Sequence, residues 1–182
     1  GGKPEMNSTD KILNLLDEEE VISVTREMVA IPSLTGNEGD GMLNYLKKWF
    51  IDLGIPVRTY PFPGNRADFF ADYGALSGPG RYIINGHQDT KPVVGMTVEP
   101  FAGEIRDGRM YGRGACDMKG GIAAVLCAFK AMVRAGVSPK GGITFYSDIE
   151  EELAGPCAFS VAIEKGLLDG YCGLISAEPS EM

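Results

Sequence analysis

The 182 residues carry a net charge of −8, with 44% hydrophobic and 23% charged residues and 25 glycines beside 11 prolines. That balance excludes a disordered tail, and the surplus of acid over Lys and Arg argues against phosphate-backbone binding, so no nucleic-acid partner is expected. No run approaches ~18 consecutive apolar residues and no charged-then-apolar leader opens the chain, which argues against a membrane partner and makes the cytoplasm the expected address.

From Thr9, apolar residues at helical spacing (Ile12, Leu15, Leu16, Val21, Ile22, Val24, Met28, Val29) predict a helix that Pro32 ends. The acids from Asp17 to Glu20 read as its solvated face or as an N-terminal turn, where carboxylates suit the helix dipole. Thr35-Gly36-Asn37-Glu38 reads as a turn, and Gly41 to Leu53 as an amphipathic helix with Leu43, Leu46, Trp49, Phe50 and Leu53 inward, stopped by Gly54. Strands are expected at 55–62, 67–73 and 81–85. Asp107-Gly108, between two strand-like halves of 101–111, is a hairpin signal.

The clearest helix is expected from Asp117 to Gly136, with Ile122, Ala123, Val125, Leu126, Phe129, Met132 and Val133 as its apolar stripe. A buried strand over 142–149, a helix from Gly155 to Lys165 and a strand over 171–177 follow. The alternation after residue 80 predicts a single α/β domain over 1–182, a sheet with helices on both faces. The four cysteines (Cys116, Cys127, Cys157, Cys172) form no C-x-x-C pair and read as reduced thiols, Cys127 within a helical apolar pattern.

The chain's only histidine, His87, stands just after a predicted strand, with Asp89 two positions on. Asp117 opens a helix, Glu150-Glu151-Glu152 follow another strand, and Glu178 follows the last. In open α/β sheets, ligand sites form at the carboxyl ends of strands. Imidazole nitrogen and carboxylate oxygen are the donors zinc takes, and adjacent like charges repel unless a cation sits among them. Each residue has a plainer reading: a structural histidine, a helix cap at Asp117, a solvated turn at the glutamates. It is their convergence on one edge that points to a metal.

The strings GHQDT, EPFAGEIRDGRMYGRGACDMKGGIAA, FYSDIEEELAGP and SAEPS resemble the dinuclear-zinc amidohydrolases that include succinyl-diaminopimelate desuccinylase, acetylornithine deacetylase, aminoacylase and glutamate carboxypeptidase. The resemblance runs from about Asp10 to Ser180. It implies a zinc-exopeptidase-like catalytic domain with a mixed sheet, two Zn2+ per complete site (Co2+ or Mn2+ as substitutes), and a small N-acylated amino acid or peptide as substrate. By the same resemblance His87, Asp117 and Glu178 hold the first zinc, Asp117 bridges to the second, and Asp89 orients His87. Glu151 is then the general base and Glu152 a ligand of the second zinc; the assignment shifted by one, to Glu150 and Glu151, stays open.

Members of that family carry a further metal-binding histidine and a lid domain that dimerises. With one histidine in total, the chain is expected to be the N-terminal portion of a catalytic domain, incomplete at its C-terminus, with the lid absent, inactive alone, and drawn from a homodimeric parent. Two other readings remain: a non-catalytic metal-binding or regulatory module keeping the same fold, and a nucleotide site at Gly112-Arg113-Gly114, which lacks the third glycine of a dinucleotide fingerprint.

Overall fold

The structure, a computed structural model, describes residues 6–76, 80–153 and 157–180. Five strands form one mixed sheet in the order β1-β2-β6-β3-β7: β1 (Val57–Phe62), β2 (Arg66–Tyr73), β3 (Tyr82–Asn85), β6 (Ile143–Ser147) and β7 (Gly173–Ser176). β1 and β2 run antiparallel to their neighbours, while β6, β3 and β7 are mutually parallel. β4 (Glu104–Arg106) and β5 (Arg109–Tyr111) make the separate hairpin that Asp107-Gly108 announces. Both turn residues sit at positive φ, 52° and 71°, as a two-residue turn of that hand requires.

The helices α1 (Ser8–Leu13), α2 (Glu18–Val29), α3 (Gly41–Asp52), α4 (Gly120–Arg134) and α5 (Ala158–Glu164) cover both faces of the sheet. On one face Phe50 of α3 and Phe129 of α4 meet Phe69 and Phe145 of the sheet, with Phe50 and Phe129 edge-to-face at 5.2 Å. All four rings are fully buried, each contributing about 1.5–3 kcal/mol of transfer free energy. Phe70, Ile83 and Tyr146 face the other way, toward Ala162 of α5. The strand alternation thus feeds two cores. Trp49 is half-buried against the larger core and donates its indole N–H to the carbonyl of Leu126.

The single helix expected from Thr9 to Val29 is two. Asp17 accepts from the backbone N–H of Glu19 and caps α2, and that side-chain bond competes with helix continuation. Leu15 and Leu16, counted in that helical spacing, are exposed. The acid run 18–20 is the first turn of α2, the alternative that suits the dipole. α4 starts at Gly120 rather than Asp117, because residues 115–119 form a wide, kinked turn in which Asp117 (φ −120°, ψ 98°) is not helical. The expected start of α5 at Gly155 lies outside the described residues.

Gly112 and Gly114 are needed for close packing rather than for a phosphate. A Cβ on Gly112 would stand 2.6 Å from Val29, and one on Gly114 2.7 Å from Thr90. All four cysteines are free thiols. Among the described residues, no helix is long and apolar enough to cross a membrane.

Candidate metal centre

Three parallel strands set the site. Asn85, Tyr146 and Ser176 lie in one row across β3, β6 and β7, so the chain leaves all three strands at the same edge. Two residues beyond that row stand His87, Asp148 and Glu178, with His87 past the end of the central strand of the three. Pairing continues past the strands: Gly86 donates to the carbonyl of Tyr146, Gln88 to that of Asp148, and Ala177 to that of Asn85.

His87 is buried and aimed. Its Nδ1–H donates to the Asp89 carbonyl at 2.9 Å, which leaves Nε2 facing the acids. Asp117 Oδ1 lies 3.1 Å from Nε2, Glu178 Oε1 3.4 Å and Glu151 Oε2 3.7 Å. Two trios, His87–Glu151–Glu178 and His87–Asp117–Glu152, each bring one donor atom per residue within 4.8 Å of one another. Asp117, Glu151, Glu152 and Glu178 thus gather around one imidazole, with Glu178 grouped with Glu151 and Asp117 with Glu152. Cys116 belongs to neither trio.

Asp89 is engaged on several sides. Its carboxylate lies 3.5 Å from His87 Nδ1, accepts from the Thr35 hydroxyl at 2.8 Å, and takes the backbone N–H groups of Glu151 and Glu152 at 3.2 and 3.1 Å. Burial works to raise Asp89, but its bonds with His87, Thr35 and the Glu152 backbone hold its carboxyl below the usual carboxylate range. Burial would likewise lower His87. The Asp89 hydrogen bond and the charges of Asp89, Glu178 and Glu151 outweigh it, pushing the imidazole up to about 10. Burial and the Asp117 and Glu151 charges raise Glu178, against the pull of His87. A negative field strong enough to retain a proton on Nε2 favours a metal cation in that position too, and with nitrogen and oxygen donors already converged, the residues fit a divalent ion.

Glu150 is set apart from its two neighbours. It takes a left-handed backbone (φ 62°), rare for a residue with a side chain, and its carboxylate pairs with Arg66 Nη1 at 2.5 Å. Arg66 also holds buried Glu38 at 3.1 Å, and Glu38 in turn accepts from the N–H of Gly36. The antiparallel direction of β2 is what delivers Arg66, its first residue, to the same edge as the ends of β3 and β6. Lys119, two residues after Asp117, is buried and donates to the carbonyls of Met28 and Ile31, tying the kinked turn to the end of α2. The Asp117–Met118 peptide is cis.

The sequence profile of peptidase family M20/M25/M40 matches residues 83–182, which contain every one of these donors. The chain belongs to that family. It is 36% identical over 143 residues to a succinyl-diaminopimelate desuccinylase of Gluconacetobacter diazotrophicus, covering 76% of this chain and 36% of that protein. To an acetylornithine deacetylase of Erwinia tasmaniensis it is 31% identical over 169 residues, covering 88% and 43% respectively. In fold it is similar to human carnosine dipeptidase 1, with a TM-score of 0.80 at 22% identity over 96% of this chain and 42% of that one. A tripeptidase from Staphylococcus aureus gives a TM-score of 0.73 at 24% identity, covering 92% and 45%. The family named from the GHQDT and DMKGG strings is therefore borne out, as is the mixed sheet with helices on both faces. The M20 chain spans less than half the length of these relatives.

Arg66, Glu38, Thr35 and Lys91 were not legible as part of the site. Each is single in its stretch and far along the chain from its partner, and no spacing rule links Arg66 to Glu150 across 84 positions.

Proposed function

We propose that the chain is the metal-holding part of a hydrolase that cleaves the amide bond of an N-acyl amino acid or small peptide. The observation that carries it is a single imidazole nitrogen with three carboxylates within 3.7 Å, drawn from three different segments at one sheet edge. The relatives named a desuccinylase and a deacetylase support an acylated amino acid as substrate. His87, Asp117, Glu152 and Glu178 would hold divalent ions, zinc by the chemistry of the donors, with Asp117 in the bridging role.

A bound divalent cation polarises a scissile carbonyl and acidifies a water. The chain's residues do the rest. Glu151, with its side chain 47% exposed, faces the site from an anchored backbone and is placed to take a proton from the attacking water and return it to the departing amine. Asp89 keeps the imidazole and the Glu151–Glu152 backbone in one rigid unit. Arg66 keeps Glu150 out of the site, which supports Glu151 as base and Glu152 as ligand over the assignment shifted by one.

One histidine leaves the second cation with carboxylates alone, so these 182 residues by themselves are expected to turn over little or no substrate. The test replaces the matching part of the Erwinia tasmaniensis acetylornithine deacetylase with residues 6–180. A folded, metal-loaded chimera that hydrolyses N-acyl amino acids, and loses at least 100-fold in kcat with Glu151→Gln, supports the reading. A folded chimera that binds metal without turnover makes the chain a non-catalytic metal-binding module. Turnover by the isolated chain at ordinary enzyme rates refutes the incompleteness.

A further inference from the structure

Met118 follows Asp117 in the kinked turn and is fully buried in the larger core, where its sulfur has a polar partner. Gly86 and Gln88 donate their backbone N–H groups toward β6, to the Tyr146 and Asp148 carbonyls, so the alternation of a parallel ladder turns the His87 N–H to the other side, toward β7. Among the described residues no backbone carbonyl accepts from it there. The Met118 thioether does, with Sδ 3.2 Å from the His87 nitrogen. Gly86 makes the room: a Cβ on it would stand 3.1 Å from Met118 Cε and 2.9 Å from Ile122 Cγ1.

Resting on the cation reading above, we infer that Met118 is a positioning residue of the metal centre: its thioether holds the backbone that carries the imidazole against the turn that carries the Asp117 carboxylate, and so sets the 3.1 Å approach of His87 Nε2 to Asp117 Oδ1. The two segments lie 31 positions apart along the chain, so nothing local fixes their spacing. The Asp89 carbonyl, taking the Nδ1–H, decides how the ring is turned; Met118 decides where its backbone stands. Filling space does not require sulfur here, since a leucine has nearly the same volume. What leucine lacks is an acceptor. A thioether is a weak one, but where it is the sole partner of a buried N–H its loss leaves that donor unpaired, which costs more than the bond itself is worth. Groups that orient metal ligands act on affinity through such small displacements.

The experiment pairs a calorimetric Zn2+ titration of the full 182-residue chain with amide hydrogen exchange of the metal-free protein, and a thermal melt of each variant establishes folding. Met118→Leu keeps the volume and removes the acceptor. Met42→Leu, the same exchange at a methionine buried in the same core but on α3, is the control. Met118→Leu is expected to weaken Zn2+ binding about tenfold or more, and Met42→Leu to bind as the parent does. In the parent, the His87 amide is expected to be protected from exchange as Gln88 is; in Met118→Leu it is expected to exchange faster while Gln88 keeps its Asp148 acceptor and its protection. Parent-like Zn2+ affinity in Met118→Leu, an equal loss in Met42→Leu, or a His87 amide unprotected in the parent overturns the inference and leaves the metal centre standing. A parent chain that takes up no Zn2+ overturns the metal centre, and the role of Met118 with it.

Discussion

Replacing Arg66 by Met tests whether the acid loop is held by one guanidinium. Arg66 bridges Glu38 and Glu150, and Glu38 is 3% exposed. Removing the cation leaves a buried carboxylate with one N–H donor from Gly36 and releases Glu150 from its left-handed turn. Breaking a buried pair from one side costs about 3–5 kcal/mol; with the Arg66 and Glu150 side chains 14% and 21% exposed, about 2–4 kcal/mol is the better figure. For a chain of this size that is a fall in Tm of about 5–15 °C by differential scanning calorimetry. Adding Glu38→Gln removes the stranded charge and is expected to recover more than half of the loss. Zinc affinity is expected to fall about tenfold in Arg66→Met, since Glu151 and Glu152 follow Glu150 directly and relaxing a left-handed residue is worth about 1–2 kcal/mol. A single variant melting within a degree of the parent, or a double variant showing the sum of both losses, refutes the clamp.

Asp68 is fully buried, accepts from the Tyr146 hydroxyl at 2.9 Å, and has its other oxygen without a partner. Burial pushes it up to about 7, against the Tyr146 hydrogen bond and aided by the Asp148 charge. The folded chain then holds a proton that the unfolded chain has released, so this group's contribution to stability falls as pH rises from about 4 to about 7. Asp68→Asn is expected to remove that slope and to stabilise the chain by about 1–3 kcal/mol at pH 8, read from urea melts; a lower midpoint than the parent's at pH 8 refutes it. A Cβ on Gly121 would stand 2.1 Å from the carbonyl oxygen of Ala177, the residue before Glu178. Gly121→Ala is expected to cost about 2–3 kcal/mol in the same melts and to weaken zinc binding, because α4 and the end of β7 must part. Parent-like stability and affinity would show that the close approach does not position Glu178.

What was legible in the sequence is what local rules govern. The apolar stripe from Ile122 to Val133 sits in the core as read, and the row of acids after strand ends is a row because β3, β6 and β7 run parallel. The helix break at Asn14–Asp17 was missed because apolar spacing carries across it while a single side-chain cap at Asp17 decides the matter. The start of α4 was placed three residues early for the opposite reason. Asp117 looks like a helix cap in sequence, but the turn that presents it is held by Lys119 reaching two carbonyls about 90 positions away, at Met28 and Ile31. Distant pairings of this kind, Arg66 with Glu150 among them, leave no periodic trace.

The register of the parallel strands explains why the residues gather as they do. His87, Asp148 and Glu178 occupy the same step beyond one row, so the sheet alone offers a donor on either side of the imidazole. Asp148, however, is buried under the site and bonded to Asn85 at 2.8 Å, and burial pushes it up to about 6, so it is a poor ligand where it stands. The chain reaches the site from that strand only by continuing past Asp148 and turning sharply at Glu150, which is why Glu151 and Glu152 meet it three and four positions later. Such a turn in a non-glycine residue needs support, and the support is electrostatic: Arg66 at Glu150, with the Asp89 carboxylate on the two N–H groups that follow. The cations near the site thus act on its frame. Arg66 and Lys119 fix the loops that carry Glu151, Glu152 and Asp117.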